Sequence, residues 1–274
     1  MKNRILKYDI VRITAILLVV MVHVSAYLVI YYPDTSGITF QTANIFNGIG
    51  RAGVPLFLLL SGALLLNEDK PFDARRFYKK SFGGICLLLI FRMLFYAAWR
   101  GIELPILKGD KPDIMVFVDY LIRLNGDYPH LWYLQMLVGT YLAVPVLRLF
   151  VKKENKNYIL GFIIVAFIAQ IITNTLNVFT IDTEYTIKDF VTRYHFEYAT
   201  GYIPFLLIGW YLETFPPKHI AAFTAAGIAA LILIILVVQF CIDDIPNLRG
   251  YVSGVNNLPG IIYGIGIFVF INAL

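Results

Sequence analysis

The chain has 274 residues, of which 59% are hydrophobic and 15% are charged. A soluble domain has about half apolar and about a quarter charged residues, so this composition excludes an ordinary soluble protein and indicates a membrane protein. The net charge of +5 is typical of the basic cytoplasmic loops of membrane proteins and does not require a nucleic-acid partner.

Apolar runs recur along the whole chain, and about 17 to 25 such residues are enough for a helix to cross a bilayer. The sequence therefore predicts an all-α, polytopic transmembrane helix bundle, with one integral membrane domain over residues 1–274. The eight predicted spans are Tyr8–Ile30, Ala43–Leu66, Ser81–Trp99, Leu131–Phe150, Tyr158–Phe179, Tyr198–Leu212, Ile220–Phe240 and Leu258–Leu274. Because the last run ends at Leu274 without a polar tail, we expect the C-terminus to be incomplete.

Lysine and arginine residues are concentrated in alternate connections between the predicted spans. They occur before the first span, at 70–80, at 152–156 and at Lys218. Basic connections remain on the cytoplasmic side, so this pattern predicts a cytoplasmic N-terminus. On the opposite side, the stretch "PDIMVFVDYLIRL" predicts a short amphipathic helix at the outer surface.

The first predicted span, "YDIVRITAILLVVMVH", contains the ionisable residues Asp9, Arg12 and His23. A helix turns by about 100° per residue, so Arg12 and His23, eleven residues apart, differ in direction by roughly 20°. Asp9 lies one turn before Arg12, and the three side chains are predicted to share one face. Asp9 and Arg12 suit an interfacial ion pair or a functional role. His23 lies about 22 Å into a core of about 30 Å, where such a residue lines a cavity or pathway or packs against another helix.

The second predicted span, "ANIFNGIGRAGVPLFLLLSGALLL", brings Arg51 to about the height of His23, with Asn47 one turn away. A buried arginine has to be paired or to face water. Arg51 suits either structural pairing with an acid or the binding of an anionic or carbonyl oxygen beside His23. Two glycines and Pro55 predict a flexible or broken backbone, which membrane proteins tolerate where it lines a cavity.

The cysteines and histidines do not predict a metal site. Cys86 and Cys241 lie far apart, in or beside apolar runs, and indicate no disulfide framework. The histidines and acids are not at metal-ligand spacing, so we expect no metal and no permanently bound cofactor.

The opening stretch "YDIVRITAILLVVMVH" resembles that of the acyltransferase-3 family, whose members begin with an Asp-x-x-Arg step followed eleven residues later by a histidine. "RAGVPLFLLLSGALLL", "HLWYLQMLVGTYLAVPVL" and "GYIPFLLIGWYL" are similar to later helices of that family, in the same order, so the resemblance covers most of the chain. The family's Arg-x-x-Arg step is represented here by Arg76 and Lys79. Family members usually have about ten spans, which again leads us to expect a missing C-terminal part.

The resemblance implies transfer of an acyl group, commonly acetyl from acetyl-CoA, to a hydroxyl of a cell-surface carbohydrate at a bacterial inner membrane. The short N-terminus without a fused soluble domain resembles the polysaccharide O-acyltransferases. His23 would then act as general base, since the unperturbed pKa of histidine lies near neutrality, or form an acyl-histidine intermediate. Arg51 is a candidate for stabilising the oxyanion.

The expected donor, acyl-CoA, is cytoplasmic and carries several phosphates. A predicted basic cluster suits these phosphates and consists of Arg75, Arg76, Lys79 and Lys80. The same cluster would also serve as an ordinary positive-inside signal in contact with lipid headgroups. Asp9 and Arg12 would border the coenzyme path or hold that end of the helix.

The expected acceptor is a carbohydrate or lipid-linked glycan. His130 and Trp132 begin the fourth predicted span on the outer side, where they would anchor the helix in the interface or bind the acceptor. Glu197 would orient a histidine or cap the sixth predicted span. The expected partners are therefore acyl-CoA, this acceptor and membrane lipids.

Two other functions fit the same residues. A transporter or exporter of a glycan or small organic acid would use His23 and Arg51 as pathway residues, although the sequence has no clear internal repeat. A non-catalytic membrane sensor or assembly partner would not need His23 for activity.

Overall fold

In a computed structural model of the chain, the described residues are 6–31, 36–109, 111–123, 131–179, 201–241, 248, 251, 254 and 256–274. They form helices and short connections, and none of them lies in a β-strand. The helices are α1 (Leu6–Tyr31), α2 (Ile38–Gly50), α3 (Gly53–Leu65), α4 (Ala74–Leu107), α5 (Ile114–Arg123), α6 (Trp132–Phe150), α7 (Lys156–Phe179), α8 (Ile203–Thr214), α9 (Ile220–Cys241) and α10 (Leu258–Asn272).

Within these residues, six helical stretches are long and apolar enough to cross a membrane. They are α1, α2 together with α3, α4, α6, α7 with the turn before it, and α9. Helices α8 and α10 are apolar but shorter, with 12 and 15 residues. The predicted all-α, polytopic bundle is confirmed, although the sixth predicted span forms a shorter helix that begins at Ile203.

Contacts between residues divide the chain into two compact units, Met1–Glu68 with Arg148–Leu274, and Asp69–Leu147. In the first unit, α3 packs against α1, α8 and α10, while α9 packs against α10 and α2. Leu56, Leu59 and Phe268 are fully buried in this core. Because lipid is as apolar as these side chains, close van der Waals packing holds such helices together.

Two glycines bring α3 and α8 into backbone contact. A Cβ atom added at Gly62 would lie 2.6 Å from the carbonyl carbon of Leu206, and one at Gly209 would lie 2.7 Å from that of Leu59. Real side chains do not approach so closely, so each position needs the absence of a Cβ. The depth at which α8 packs on α3 therefore depends on both glycines.

Arg148 binds backbone carbonyls at the C-terminal end of α3. Its Nη1 donates hydrogen bonds to the carbonyl oxygens of Leu65, at 2.9 Å, and Asn67, at 2.6 Å. The last carbonyls of a helix have no partner within the helix, and the guanidinium satisfies that of Leu65 as well as the carbonyl of Asn67, two residues further on. Arg148 thereby ties the last turn of α6 to the end of α3.

In the second unit, α4 contains two π-helical turns, Tyr78–Phe82 and Trp99–Glu103. Helix α5 packs against α4 and confirms the helix predicted from "PDIMVFVDYLIRL". The backbone nitrogen of Asp113 donates to the Gly101 carbonyl at 2.8 Å, next to the start of α5. Cys86 and Cys241 are both free and partly buried.

Candidate functional site

The ionisable residues at the start of α1 form an ion pair. Arg12 Nη1 lies 2.9 Å from Asp9 Oδ1, and the carboxylate side chain is only 14% exposed whereas that of Arg12 is 48% exposed. The two are three residues apart on a helix, where side chains face one another. The ion pair between these two residues is therefore present.

His23 lies on the exposed face of α1. Arg12, Ile16, His23 and Tyr27 are all exposed along this helix, which agrees with the predicted common face of Arg12 and His23. The Nδ1 atom of His23 lies 2.7 Å from the carbonyl oxygen of Val19, one turn earlier. A carbonyl oxygen only accepts, so a hydrogen bond here requires the proton on Nδ1, and a neutral ring with that tautomer has its lone pair on Nε2.

Arg51 sits at a break between two helices. Helix α2 ends at Gly50 and α3 begins at Gly53, which confirms the predicted interruption of the second span. Pro55 has no N–H group and cannot donate to the Arg51 carbonyl as a continuous helix would require. The break therefore follows from the local sequence.

The glycines at the break let α1 approach closely. A Cβ atom at Gly50 would lie 2.7 Å from the Leu18 carbonyl oxygen, and one at Gly53 would lie 2.9 Å from the Val19 nitrogen. Arg51 lies between these two contacts along the chain. The break is thus level with the turns of α1 that precede His23.

A buried polar chain links Arg51 to α1. Its Nη2 donates to Oδ1 of Asn47, and Nδ2 of Asn47 donates to Oγ of Ser25 at 3.0 Å. Nδ2 also contacts the Val22 carbonyl at 3.4 Å, and Ser25 donates to the Met21 carbonyl at 2.8 Å. Sequence reasoning placed Asn47 beside Arg51 but missed Ser25, whose only signal was a hydroxyl within an apolar span.

A second polar cluster joins the beginning of α1 to the end of α8. Glu213 Oε1 accepts from Lys7 Nζ at 2.7 Å and from Tyr8 OH at 2.8 Å. Lys7 and Glu213 also line a small cavity of about 70 Å³ together with Asn272 of α10. Sequence reasoning missed this cluster, because a single acid at a helix end carries no pattern that names its partner.

The predicted basic cluster lies in the second unit. Arg75, Arg76, Lys79 and Lys80 are all exposed, and no ion pair joins any of them to a carboxylate among the described residues. Asp73 caps the helix that carries them by accepting from the Arg76 backbone nitrogen at 3.1 Å. Lys79 and Lys80 fall in a π-helical turn, a distortion that is frequent at functional sites.

The remaining predicted site residues are only partly described. Trp132 begins α6, is 38% exposed and contacts Tyr133 edge-on, with ring centroids 6.1 Å apart. His130 and Glu197 lie outside the described residues. Among the residues that the structure covers, no group of His, Cys, Asp or Glu could hold a metal ion.

An all-α bundle with several helices long enough to cross a bilayer, and with polar residues at a broken span, defines a multi-pass membrane protein. A family model described as "Acyltransferase domain" matches residues 5–274, so the chain belongs to the acyltransferase-3 family of membrane acyltransferases. The match runs through both compact units. Neither the curated proteins nor the solved structures give a significant match to this chain.

Proposed function

We propose that this membrane acyltransferase moves an acyl group, acetyl in the simplest case, from cytoplasmic acyl-CoA to a hydroxyl of a cell-envelope carbohydrate, with His23 as general base. The observation that carries the proposal is the 2.7 Å hydrogen bond between His23 Nδ1 and the Val19 carbonyl oxygen. It fixes the ring and leaves Nε2 as the basic nitrogen on the exposed face of α1. A general base needs a ring nitrogen with a lone pair, held in one orientation.

The proposed reaction is a transfer from sulfur to oxygen. Nε2 of His23 takes the proton of the acceptor hydroxyl while that oxygen attacks the thioester carbonyl carbon. The tetrahedral intermediate then collapses, the carbon–sulfur bond breaks, and the imidazolium returns the proton to the departing thiolate. The products are an O-acyl ester and free CoA, and no other reactant is consumed.

Arg51 is the proposed stabiliser of the oxyanion. Its guanidinium lies at the break between α2 and α3 and is tied through Asn47 to the part of α1 that carries His23. A fixed cation close to a developing negative charge stabilises the transition state more than the ground state. The position of Arg51 beside this stretch of α1 supports this role.

The basic cluster is the proposed site for the phosphates of the donor. Four exposed cations within one turn and a half of helix, without a carboxylate partner among the described residues, suit a polyanion. Asp9 and Arg12 are proposed to border the path of the donor along α1. Trp132, with His130 and Glu197, is proposed to serve the acceptor.

The proposed location is the inner membrane of a bacterium, with the N-terminus in the cytoplasm. Support comes from basic residues near the start of α4 and before α7, since Lys79, Lys80, Lys152 and Lys153 are exposed. Such residues retain a connection on the cytoplasmic side and contact anionic headgroups there. This orientation puts the basic cluster on the side of the membrane where acyl-CoA is found.

The test is acyl transfer in membranes that contain the protein. Radiolabelled acetyl-CoA is supplied to wild type, to His23→Ala and to His219→Ala at matched expression, and label is measured in the glycan fraction. His219 is an exposed histidine in the connection before α9 and serves as the control. We expect label with wild type and His219→Ala, and a loss of at least about a hundredfold with His23→Ala.

Two other outcomes would contradict the proposed role of His23 or the proposed reaction. Equal labelling by all three proteins would remove His23 from the mechanism. No labelling by folded wild type with several acyl donors would contradict the proposed reaction and favour transport of a glycan or small organic acid.

A further inference from the structure

Helix α2 buries two asparagines one turn apart, and they face different neighbours. Asn44 is 1% exposed and donates from Nδ2 to the Ile235 carbonyl of α9 at 3.0 Å. Asn47 is 3% exposed and contacts Arg51 and α1. The two residues share type, helix and burial, and only Asn47 contacts the proposed site.

The partners of Asn47 fix the orientation of its amide. A guanidinium only donates, so the atom facing Arg51 has to be the amide oxygen. A backbone carbonyl only accepts, so the atom 3.4 Å from the Val22 carbonyl has to be the amide nitrogen. The same nitrogen donates to Ser25 Oγ at 3.0 Å. Both ends of the amide are therefore used, and the side chain cannot turn over without losing contacts to Arg51 and α1.

These contacts bracket His23 along α1. Val22 immediately precedes His23, and Ser25 follows it by two residues. Ser25 is 4% exposed and is itself held by the Met21 carbonyl at 2.8 Å. Asn47 thus connects the guanidinium of Arg51 to the turn of α1 from which His23 projects.

We propose that Asn47 is a positioning residue that holds the Arg51 guanidinium in one orientation against the turn of α1 that carries His23. An arginine side chain has about 2 kcal/mol of rotamer entropy, which is lost when its guanidinium is held in one orientation. Asn47 is a buried acceptor that is itself hydrogen-bonded to Ser25 of α1, so it restricts the Arg51 side chain before the reaction begins. This inference rests on the proposed function, in which Arg51 stabilises the oxyanion beside His23.

The test compares Asn47→Ala with Asn44→Ala, alone and with Arg51→Ala. Initial rates of acetyl transfer give kcat and KM for acetyl-CoA, and thermal unfolding in detergent gives the melting temperature of each variant. We expect Asn47→Ala to lower kcat by about tenfold or more with little change in KM. Asn44→Ala should lower the melting temperature about as much as Asn47→Ala does, while its kcat stays within about twofold of wild type. In the Arg51→Ala background, Asn47→Ala should produce no further fall in kcat.

A second variant covers the case in which Asn47→Ala does not fold. Ser25→Ala leaves Asn47 and Arg51 in place but removes the shorter of the two contacts that Asn47 makes with α1. We expect kcat to fall by about two- to tenfold, with KM for acetyl-CoA unchanged. An unchanged kcat in Ser25→Ala, when Asn47→Ala is unfolded, would overturn the inference.

The remaining outcomes separate this inference from the proposed function. Equal effects of Asn47→Ala and Asn44→Ala on kcat, or an additive effect of Asn47→Ala on Arg51→Ala, would show a purely structural role for Asn47. Those results require an active wild type and leave the proposed reaction standing. An inactive wild type would instead remove the proposed reaction, and the positioning role would fall with it.

Discussion

His23 Nδ1 lies 2.7 Å from the carbonyl oxygen of Val19, one helical turn earlier on α1. This contact gives the two ring nitrogens different hydrogen-bonding roles. Nδ1 is occupied as a donor to the backbone, and Nε2 remains the nitrogen that can accept a proton. This local hydrogen bond thus gives the imidazole ring the orientation that the proposed base role requires.

The tautomer of His23 can be measured directly. We expect the neutral ring to carry its proton on Nδ1, because the Val19 carbonyl can only accept. Long-range nitrogen–proton NMR spectra of the ¹⁵N-histidine-labelled protein in detergent distinguish the tautomers, and the His23→Gln spectrum assigns the signal. A proton found on Nε2 would contradict the general-base arrangement proposed for His23.

The basic cluster should govern donor binding. Replacing Arg75 and Arg76 together by glutamine should raise KM for acetyl-CoA by about tenfold or more with kcat nearly unchanged, because charge-assisted phosphate contacts act equally on substrate and transition state. Steady-state kinetics at low salt are the measurement, since added salt screens exposed charges.

A matched change elsewhere provides the control for that double variant. Lys111 is an exposed lysine of the same unit, and Lys111→Gln should leave KM unchanged. An unaltered KM in the double arginine variant would assign the cluster to headgroup contact or to topology instead.

The contacts of Glu213 should stabilise the fold. Glu213→Ala removes the acceptor of both Lys7 and Tyr8 and should lower the free energy of unfolding by about 2 kcal/mol, because the carboxylate is only 16% exposed. Thermal unfolding in detergent, followed by tryptophan fluorescence, is the measurement. Glu154→Gln is the control, since its contact with Lys152 is 3.7 Å long and the Glu154 side chain is 72% exposed. Equal effects of the two substitutions would mean that the Glu213 cluster contributes no more to the free energy of unfolding than a surface ion pair does.

The contact between α3 and α8 should not tolerate even one methyl group. A Cβ at Gly62 would meet the backbone of Leu206, which cannot rotate away, so Gly62→Ala should destabilise the protein by about 3 kcal/mol. Gly161→Ala on α7 is the matched control, because a Cβ there has nothing within 4 Å. The melting temperatures of the two purified variants provide the comparison, and a Gly62→Ala protein as stable as Gly161→Ala would contradict the tight α3–α8 packing.

Local signals in the sequence were sufficient to predict several parts of this protein. The apolar runs predicted the membrane helices, because the length needed to cross a bilayer is set by its thickness. The helical period predicted that Arg12 and His23 share a face. The glycines and Pro55 predicted the break beside Arg51, because a missing N–H group interrupts a helix wherever it occurs.

The contacts between distant parts of the chain could not be predicted in this way. The bond between Tyr8 and Glu213 spans 205 positions, and the bond between Asn44 and the Ile235 carbonyl spans 191. A single buried polar residue in an apolar helix requires a partner but does not identify it. Ser25, Asn47 and Glu213 therefore became parts of defined clusters only when their helices were placed together.

By itself the sequence determined the class of protein, the helical spans, the ionisable face of α1 and the position of the break at Arg51. Each of these depends on neighbours within a few residues or on the thickness of the membrane. The tertiary structure decided that Asn47 connects Arg51 to the turn carrying His23, and that Glu213 secures the start of α1. Those relationships depend on which helices pack together and at what depth, and that depth is set by close contacts such as those at Gly50 and Gly53.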